Sequence, residues 1–193
     1  MDRKLLNEEL NRKSIEDFKK SCKTPLILVL DNVRSLNNVG SAFRTADSFL
    51  LEAIYLCGHT GTPPHRDIHK TALGATETMQ WKHFSTTLDA ITSLKQQGYK
   101  VYAVEQTEMA IFLNDFKPSP NEPMAFVFGN EVNGVSQDVV NACEKCIEIP
   151  QLGSKHSLNI SVSIGIVIWD VINKMGLSQA TNNHSNTSTD FHS

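Results

Sequence analysis

The chain is poor in cysteine: Cys22, Cys57, Cys143 and Cys146 are the only four in 193 residues. That is too sparse for a disulfide scaffold and fits a reducing cytosol, so a cytoplasmic location is expected. Cys143-Glu-Lys-Cys146 has CxxC spacing but no second pair, so neither a metal nor a redox role is expected. No uninterrupted apolar stretch approaches the ~18–20 residues that a membrane-spanning helix needs. Met1-Asp2-Arg3-Lys4 leads into Leu5, Leu6 and Asn7 without an apolar core, which argues against a secretory leader. No Gly-x-Gly-x-x-Gly follows the first apolar strand and no Walker A loop occurs, which leaves an unrelated nucleotide-binding α/β protein with little support. Internal repeats are absent too. Nor is there an excess of positive charge: 18 Lys and Arg face 21 Asp and Glu, a net −3.

That balance at first argues against a nucleic-acid partner. Its distribution softens the objection. Residues 1–24 hold seven basic against five acidic side chains, whereas residues 105–148 hold two basic against eight acidic. The acidity is concentrated in one segment, and a local basic face is compatible with the rest. Arg3, Lys4, Arg12, Lys13, Arg34 and Lys70 are the side chains expected to meet a polyanion.

What the chain does have is 40% hydrophobic residues in a pattern of strands alternating with helices. Residues 1–24 read as a helical extension, amphipathic over 3–21, with Ser14-Ile15-Glu16-Asp17 as a cap. Leu26–Leu30 is a short apolar run suited to a buried parallel strand. Strands are expected at Ala53–Cys57, Trp81–Phe84, Tyr99–Val104, Met124–Phe128 and Cys146–Ile149. Helices are expected at Asn38–Phe49, Thr87–Gln97 and Ser136–Ala142. From Leu158 the apolar positions alternate as in a strand, but the run continues through Trp169, Val171 and Ile172, and its length favours a buried helix. The alternation predicts one α/β domain over 25–175, a mostly parallel sheet with helices on both faces. Residues 176–193 are polar and read as a disordered tail.

Three polar clusters fall where strands should end, the usual ligand-binding edge of open α/β sheets. The first runs Asn38-Val39-Gly40-Ser41-Ala42-Phe43-Arg44-Thr45-Ala46. Asn38 can cap a helix and Arg44 lies almost two turns on, near 240° around the wheel, so a capped surface helix with a solvated arginine would explain it equally well. The second is Gly129-Asn130-Glu131-Val132-Asn133-Gly134, whose paired glycines suit a tight turn, with or without a ligand. The third, Ile149-Pro150-Gln151-Leu152-Gly153 through Ser157-Leu158-Asn159, could be a loop and N-cap, but that leaves its density of polar side chains unexplained. Trp81 reads as core packing rather than as a base-stacking platform; His65, Arg66, His69 and Lys70 read either as a solvated face or as phosphate contacts.

Taken in this order, the clusters resemble the motifs of the SPOUT superfamily of knotted methyltransferases, specifically the SpoU/TrmH-type RNA 2′-O-ribose methyltransferases. Asn38, Arg44, Thr45 and Ala46 match the first motif, and Gly129, Glu131 and Gly134 the second. Ile149, Pro150, Gly153, Ser157, Leu158, Asn159, Ser161 and Val162 match the third. The resemblance covers about Leu26 to Lys174. It implies a C-terminal trefoil knot, a fold feature that the general rarity of knots would otherwise oppose. It implies S-adenosyl-L-methionine as cofactor, held by loops after Val104, Phe128 and Ile149, with Gln106, Gly129, Gly134, Ile149, Leu152, Gly153 and Leu158 around it. It implies Arg44, Asn38, Glu131, Ser157 and Asn159 as the catalytic set, RNA as substrate (tRNA favoured, rRNA the alternative), a homodimer and no metal. Many relatives carry a separate N-terminal RNA-binding domain, whereas this chain has some 24 residues there and resembles the small stand-alone members.

The chemistry suits these residue types. A sulfonium donor is already activated, so catalysis reduces to alignment and removal of the hydroxyl proton. A guanidinium holds its proton too tightly to be a base, so Arg44 is expected to clamp a phosphate and stabilise the developing alkoxide. Rival readings are a SPOUT enzyme acting on a base nitrogen, disfavoured by the arginine and Ser-Leu-Asn motifs, and an RNA-binding protein with a decayed site, disfavoured by the intact set. The final helix, through Val162, Ile166, Trp169 and Ile172, has apolar residues on more faces than one small domain can cover, which motivates the dimer.

Overall fold

The computed structural model describes residues 2–10, 12–155 and 157–177. Seven strands, all paired in parallel, form one sheet in the order β3-β2-β1-β6-β4-β7-β5. They are β1 (Thr24–Asp31), β2 (Leu51–Cys57), β3 (Trp81–Phe84), β4 (Lys100–Val104), β5 (Ile111–Phe112), β6 (Met124–Phe128) and β7 (Lys145–Glu148). β1 and β6 lie inside the sheet and are buried on both faces, which is why they read as continuous apolar runs.

Side-chain alternation along β1 divides the core in two. Leu26, Leu28 and Leu30 face the helices α2 (Leu36–Ser48), α3 (Arg66–Ala72), α4 (Ala75–Thr78) and α7 (Ile160–Lys174), while Ile27 and Val29 face α5 (Thr87–Gln96) and α6 (Gln137–Ala142). The expected α/β architecture with helices on both faces is therefore the one observed.

Several expected elements differ from the structure. The N-terminal extension is not one helix over 3–21: a 3₁₀ turn at Asn7–Leu10 and the short α1 (Ile15–Lys20) are separated at Ser14, whose extended backbone (φ −65°, ψ 164°) caps α1 by accepting from the Asp17 amide. Phe18 anchors α1 in the core beside β1, and the Lys23 ammonium lies 3.5 Å from its ring centroid. The helix expected from Asn38 begins at Leu36, and Ser35, not Asn38, is its cap, with Ser35 Oγ 3.3 Å from the Asn38 amide. α3 and α4 were not legible because α3 buries only Ile68 and Ala72 and α4 only Ala75.

The final apolar segment is a helix, as its length suggested. Ile160, Ile164, Val167, Ile168, Val171 and Ile172 form its buried stripe. Val162, Ile166 and Trp169 are 49%, 37% and 55% exposed, so the unpartnered face excludes Ile172, which the sequence placed with them but which is 6% exposed. Of the polar tail expected over 176–193, residues 178–193 lie outside the described part of the chain.

Candidate functional site

Three loops leave the carboxyl ends of neighbouring strands and enclose a cavity of about 570 Å³. The first follows β4 and contributes Val104, Glu105 and Gln106; the second follows β6 and contributes Phe128 through Gly134. The third follows β7 and contributes Ile149 and Gln151, and the turn into α7 adds Ser157, Leu158, Asn159 and Ser163. These are the loops after Val104, Phe128 and Ile149 that the sequence singled out.

The loop after β6 is a closed hairpin organised by Asn130. Its backbone exchanges two hydrogen bonds with Gly134, at 3.1 and 2.9 Å. Its side-chain oxygen accepts from the amides of Val132 (2.8 Å) and Asn133 (3.3 Å), while its Nδ2 donates to the Asn32 carbonyl at 2.8 Å, tying the loop to the end of β1. Both glycines are required, Gly129 by crowding against backbone and Gly134 by its left-handed conformation. A Cβ on Gly129 would lie 2.1 Å from the Gly134 carbonyl carbon, and Gly134 (φ +65°) would bring a Cβ to 2.1 Å from Glu105 Oε2. Glu105 explains that closeness: its carboxylate accepts from the Gln106 amide (2.9 Å) and from the Val135 amide (2.9 Å), joining the loops after β4 and β6.

Glu131 reaches out of the same hairpin to the start of α2. Its carboxylate accepts from the amides of Arg34 (3.2 Å) and Ser35 (3.1 Å) and from Asn38 Nδ2 (3.2 Å). A carboxylate there also complements the positive end of the helix. Partial burial opposes its charge, but hydrogen bonds from its own amide, Arg34, Ser35 and Asn38 prevail and hold it below the ordinary glutamate value. The structure thus joins Asn38 and Glu131, residues of two separate motifs.

Of the twelve residues nominated from the sequence, eight line the cavity: Gln106, Gly129, Glu131, Gly134, Ile149, Ser157, Leu158 and Asn159. Asn38 is attached through Glu131. Asn159 also caps α7, its Oδ1 accepting from the Ser161 amide at 2.9 Å and from Ser161 Oγ at 2.6 Å. Leu152 and Gly153 are not brought to the wall; Leu152 is fully exposed. Arg44 does not reach the cavity either: it is exposed on α2, the helix that packs against α7. Glu105 and Asn130 were missed, Glu105 because a carboxylate one residue past a strand has no distinctive pattern, and Asn130 because it fills an unspecified position between Gly129 and Glu131.

The cavity wall has a single sign of charge. Among the described residues lining it, Glu105, Glu131 and Glu148 are acidic and no Lys, Arg or His is present. Such a wall attracts a cation and repels a phosphate-bearing cofactor. Among the described residues no cluster of His, Cys, Asp and Glu could hold a metal ion. Among the described residues no helix is long and apolar enough to cross a membrane.

Comparison with known proteins agrees with this geometry. The chain is 30% identical over 165 residues to the 23S rRNA (guanosine-2′-O-)-methyltransferase RlmB of Vibrio parahaemolyticus, covering 86% of this chain and 66% of that protein. It therefore spans slightly less than two thirds of that relative. A TrmH/SpoU tRNA modifying enzyme from A. aeolicus superposes with a TM-score of 0.73 at 21% identity, over 91% of this chain and 88% of that one. The AdoMet-bound rRNA methyltransferase of Sinorhizobium meliloti gives a TM-score of 0.73 at 23% identity, over 81% and 59%. The sequence model of the SpoU rRNA Methylase family matches residues 25–169, which takes in every strand from Pro25 and most of α7, and the chain belongs to that family.

Proposed function

We propose that the protein transfers a methyl group from S-adenosyl-L-methionine to a ribose 2′-hydroxyl of RNA. The observation that carries the reading is the acidic three-loop cavity, with Glu105, Glu131 and Glu148 and no basic side chain among its described lining residues. Its volume of about 570 Å³ is in the range of small-molecule sites, and the residues present fit a donor that is cationic at sulfur and carries no phosphate. When bound, that donor supplies an activated methyl group, so no metal is required. S-adenosylmethionine is also the ligand bound in the S. meliloti relative.

The chain's own residues then have two tasks. The backbone around Gly129 and Gly134, fixed by Glu105 and Asn130, gives the donor a rigid wall and excludes water. Asn38 and Glu131 set the start of α2, the helix that holds Arg44. Arg44 clamps an RNA phosphate and stabilises the 2′-oxygen as its proton leaves to that phosphate or to a water. Ser157 and Asn159 complete the pocket edge near the transferring methyl.

This assignment requires a second subunit. Arg44 stands outside its own cavity on a helix next to α7, and α7 carries the exposed Val162, Ile166 and Trp169. A homodimer formed through that stripe buries it and brings one subunit's Arg44 toward the other's cavity. The C-terminal knot belongs to the same reading, supported by the position of the late strand β7 inside the sheet between β4 and β5.

tRNA is the favoured substrate, because the A. aeolicus tRNA modifying enzyme is matched over 88% of its length. The Vibrio relative, named for 23S rRNA, favours ribosomal RNA as the second reading. A cytoplasmic site of action goes with either. Mapping 2′-O-methylation across total RNA from a deletion strain decides: loss of one tRNA position supports the first reading, loss of one rRNA position the second, and no loss contradicts both.

A further inference from the structure

A second cavity, of about 510 Å³, lies on the other side of the sheet's midline and shares no lining residue with the first. It sits beside β3, at the opposite edge of the sheet from β5. Three strand spacings separate β3 from β6, about 14 Å.

Its walls are apolar rings and a methyl-bearing side chain, from Pro63, Pro64, Trp81 and Ile68. Trp81 is half-buried, packed on one side against the core and open on the other to this cavity. The polar groups at the rim are His65, Arg66, His69 and Thr76. Arg66, His69 and Lys70 stand at i, i+3 and i+4 of α3 and so share a helix face. All three are exposed, and Arg66 and Lys70 have no ion pair or side-chain hydrogen bond among the described residues. The nearby carboxylates are Asp67, one residue along the helix, and Glu77 on α4; neither lines the cavity. His65 Nδ1 accepts from the Asp67 amide at 3.1 Å, which in the neutral ring leaves the proton on Nε2, as a donor.

An indole face framed by proline rings, with an unpaired guanidinium and two imidazoles at its mouth, has the two features that hold a nucleotide: a surface for a base to stack on and donors for its phosphate. Its rim is basic where the first cavity is acidic, so the two pockets sort ligands by charge. We propose that this cavity is a nucleotide subsite for the RNA substrate, taking one unpaired nucleotide outside the one that is methylated, with its base on Trp81 and its phosphate on Arg66 and His69. The proposal rests on the reading of the protein as an RNA enzyme. It supplies a recognition element on the catalytic domain itself, at the edge of the sheet farthest from the acidic loops.

The test uses the full-length protein with S-adenosylhomocysteine saturating the first cavity, so that a probe cannot report from there. The two indole N–H signals of ¹⁵N-labelled protein are assigned with Trp81→Phe, and hexaadenylate, adenosine 5′-monophosphate and inorganic phosphate are titrated in turn. Fluorescence anisotropy of labelled hexaadenylate reads total RNA binding in parallel. The expected result is a saturable shift of the Trp81 signal with the hexamer, at least about tenfold tighter than with the mononucleotide, the scale of one stacked base with its neighbours. Arg66→Glu and His69→Glu, both exposed positions, should each weaken that affinity about tenfold and leave the thermal midpoint unchanged. Trp81→Phe should keep most of the binding, which a loss of folding would not. Hexamer binding by anisotropy without a Trp81 shift overturns the proposal and leaves the RNA reading standing. An equal response to phosphate alone, or to the mononucleotide, overturns it in favour of an anion patch or a free-nucleotide site. Absence of any hexamer binding overturns the RNA reading along with it.

Discussion

Guanidinium chemistry limits what Arg44 can do. A guanidinium offers a planar fork of donors and no acceptor, and on α2 Arg44 is exposed. Arg44→Ala should lower single-turnover methyl transfer by roughly 10²-fold or more, the scale of losing one preorganised electrostatic donor, while cofactor affinity stays constant. Arg44→Lys should recover only part of the rate at every pH; equality with wild type above neutral pH would assign the residue a proton-abstracting role instead. Glu131 carries a second residue-scale expectation. Its folded-state value lies below the ordinary glutamate value, so its stabilising contribution is complete above pH 4.5 and is lost as pH falls below that. Glu131→Gln should therefore be less stable than wild type at neutral pH and lose less stability on acidification, as followed by thermal midpoints against pH; parallel curves would mean that the carboxylate's charge does not hold α2. The thiols differ as well. Burial pushes Cys57 and Cys143 up to about 12, whereas Cys22 is exposed. Iodoacetamide at neutral pH should label Cys22 first in the native protein, and rapid labelling of Cys143 would revive a reactive role for the CxxC pair.

Elements were legible in proportion to their apolar content. β6 matches its expected limits because five consecutive buried apolar residues carry the signal, and β3, only partly buried, matches through its two apolar ends, Trp81 and Phe84. α7 was recognisable by its length, although its apolar run hides which face is buried. That is why Ile172 was assigned to the wrong side: hydrophobicity is nearly uniform around the helix, and only packing against α2 and the 3₁₀ turn Leu113–Asp115 after β5 distinguishes its faces. The site was legible as three motifs but not as a geometry. Nothing in the sequence pairs Asn38 with Glu131 across 93 positions, and nothing marks Glu105 as the strut between two loops. The α7 stripe yields a prediction at this scale. On the proposed homodimer, in which one subunit's Arg44 serves the other's cavity, replacing Val162, Ile166 and Trp169 by Lys, Gln and Glu should give a folded monomer by light scattering and reduce methylation about 10²-fold or more. Ile172→Ala should instead cost stability, about 2–4 kcal/mol as a buried truncation. A triple variant that remains dimeric would place the interface elsewhere.

At the scale of the whole molecule, a net charge of −3 offers RNA no long-range attraction, so contact depends on where the charges stand. Three glutamates, Glu105, Glu131 and Glu148, line the cavity after β4, β6 and β7, while exposed basic residues stand on α3 and the N-terminal segment. Arg3, expected to contact RNA, is instead paired with Glu9 at 2.7 Å, which leaves Lys4, Arg12 and Lys13, of the contacts expected in that segment, without an ion pair among the described residues. The central claim, that these pockets together place a methyl group on a ribose oxygen, is tested most directly by the chemical position of the methyl. Purified protein is incubated with S-[methyl-³H]adenosylmethionine and total RNA, and the product is hydrolysed in alkali. A methylated 2′-oxygen cannot attack its neighbouring phosphate, so the account predicts tritium in alkali-resistant dinucleotides. Tritium released in mononucleotides would locate the methyl on a base and contradict it.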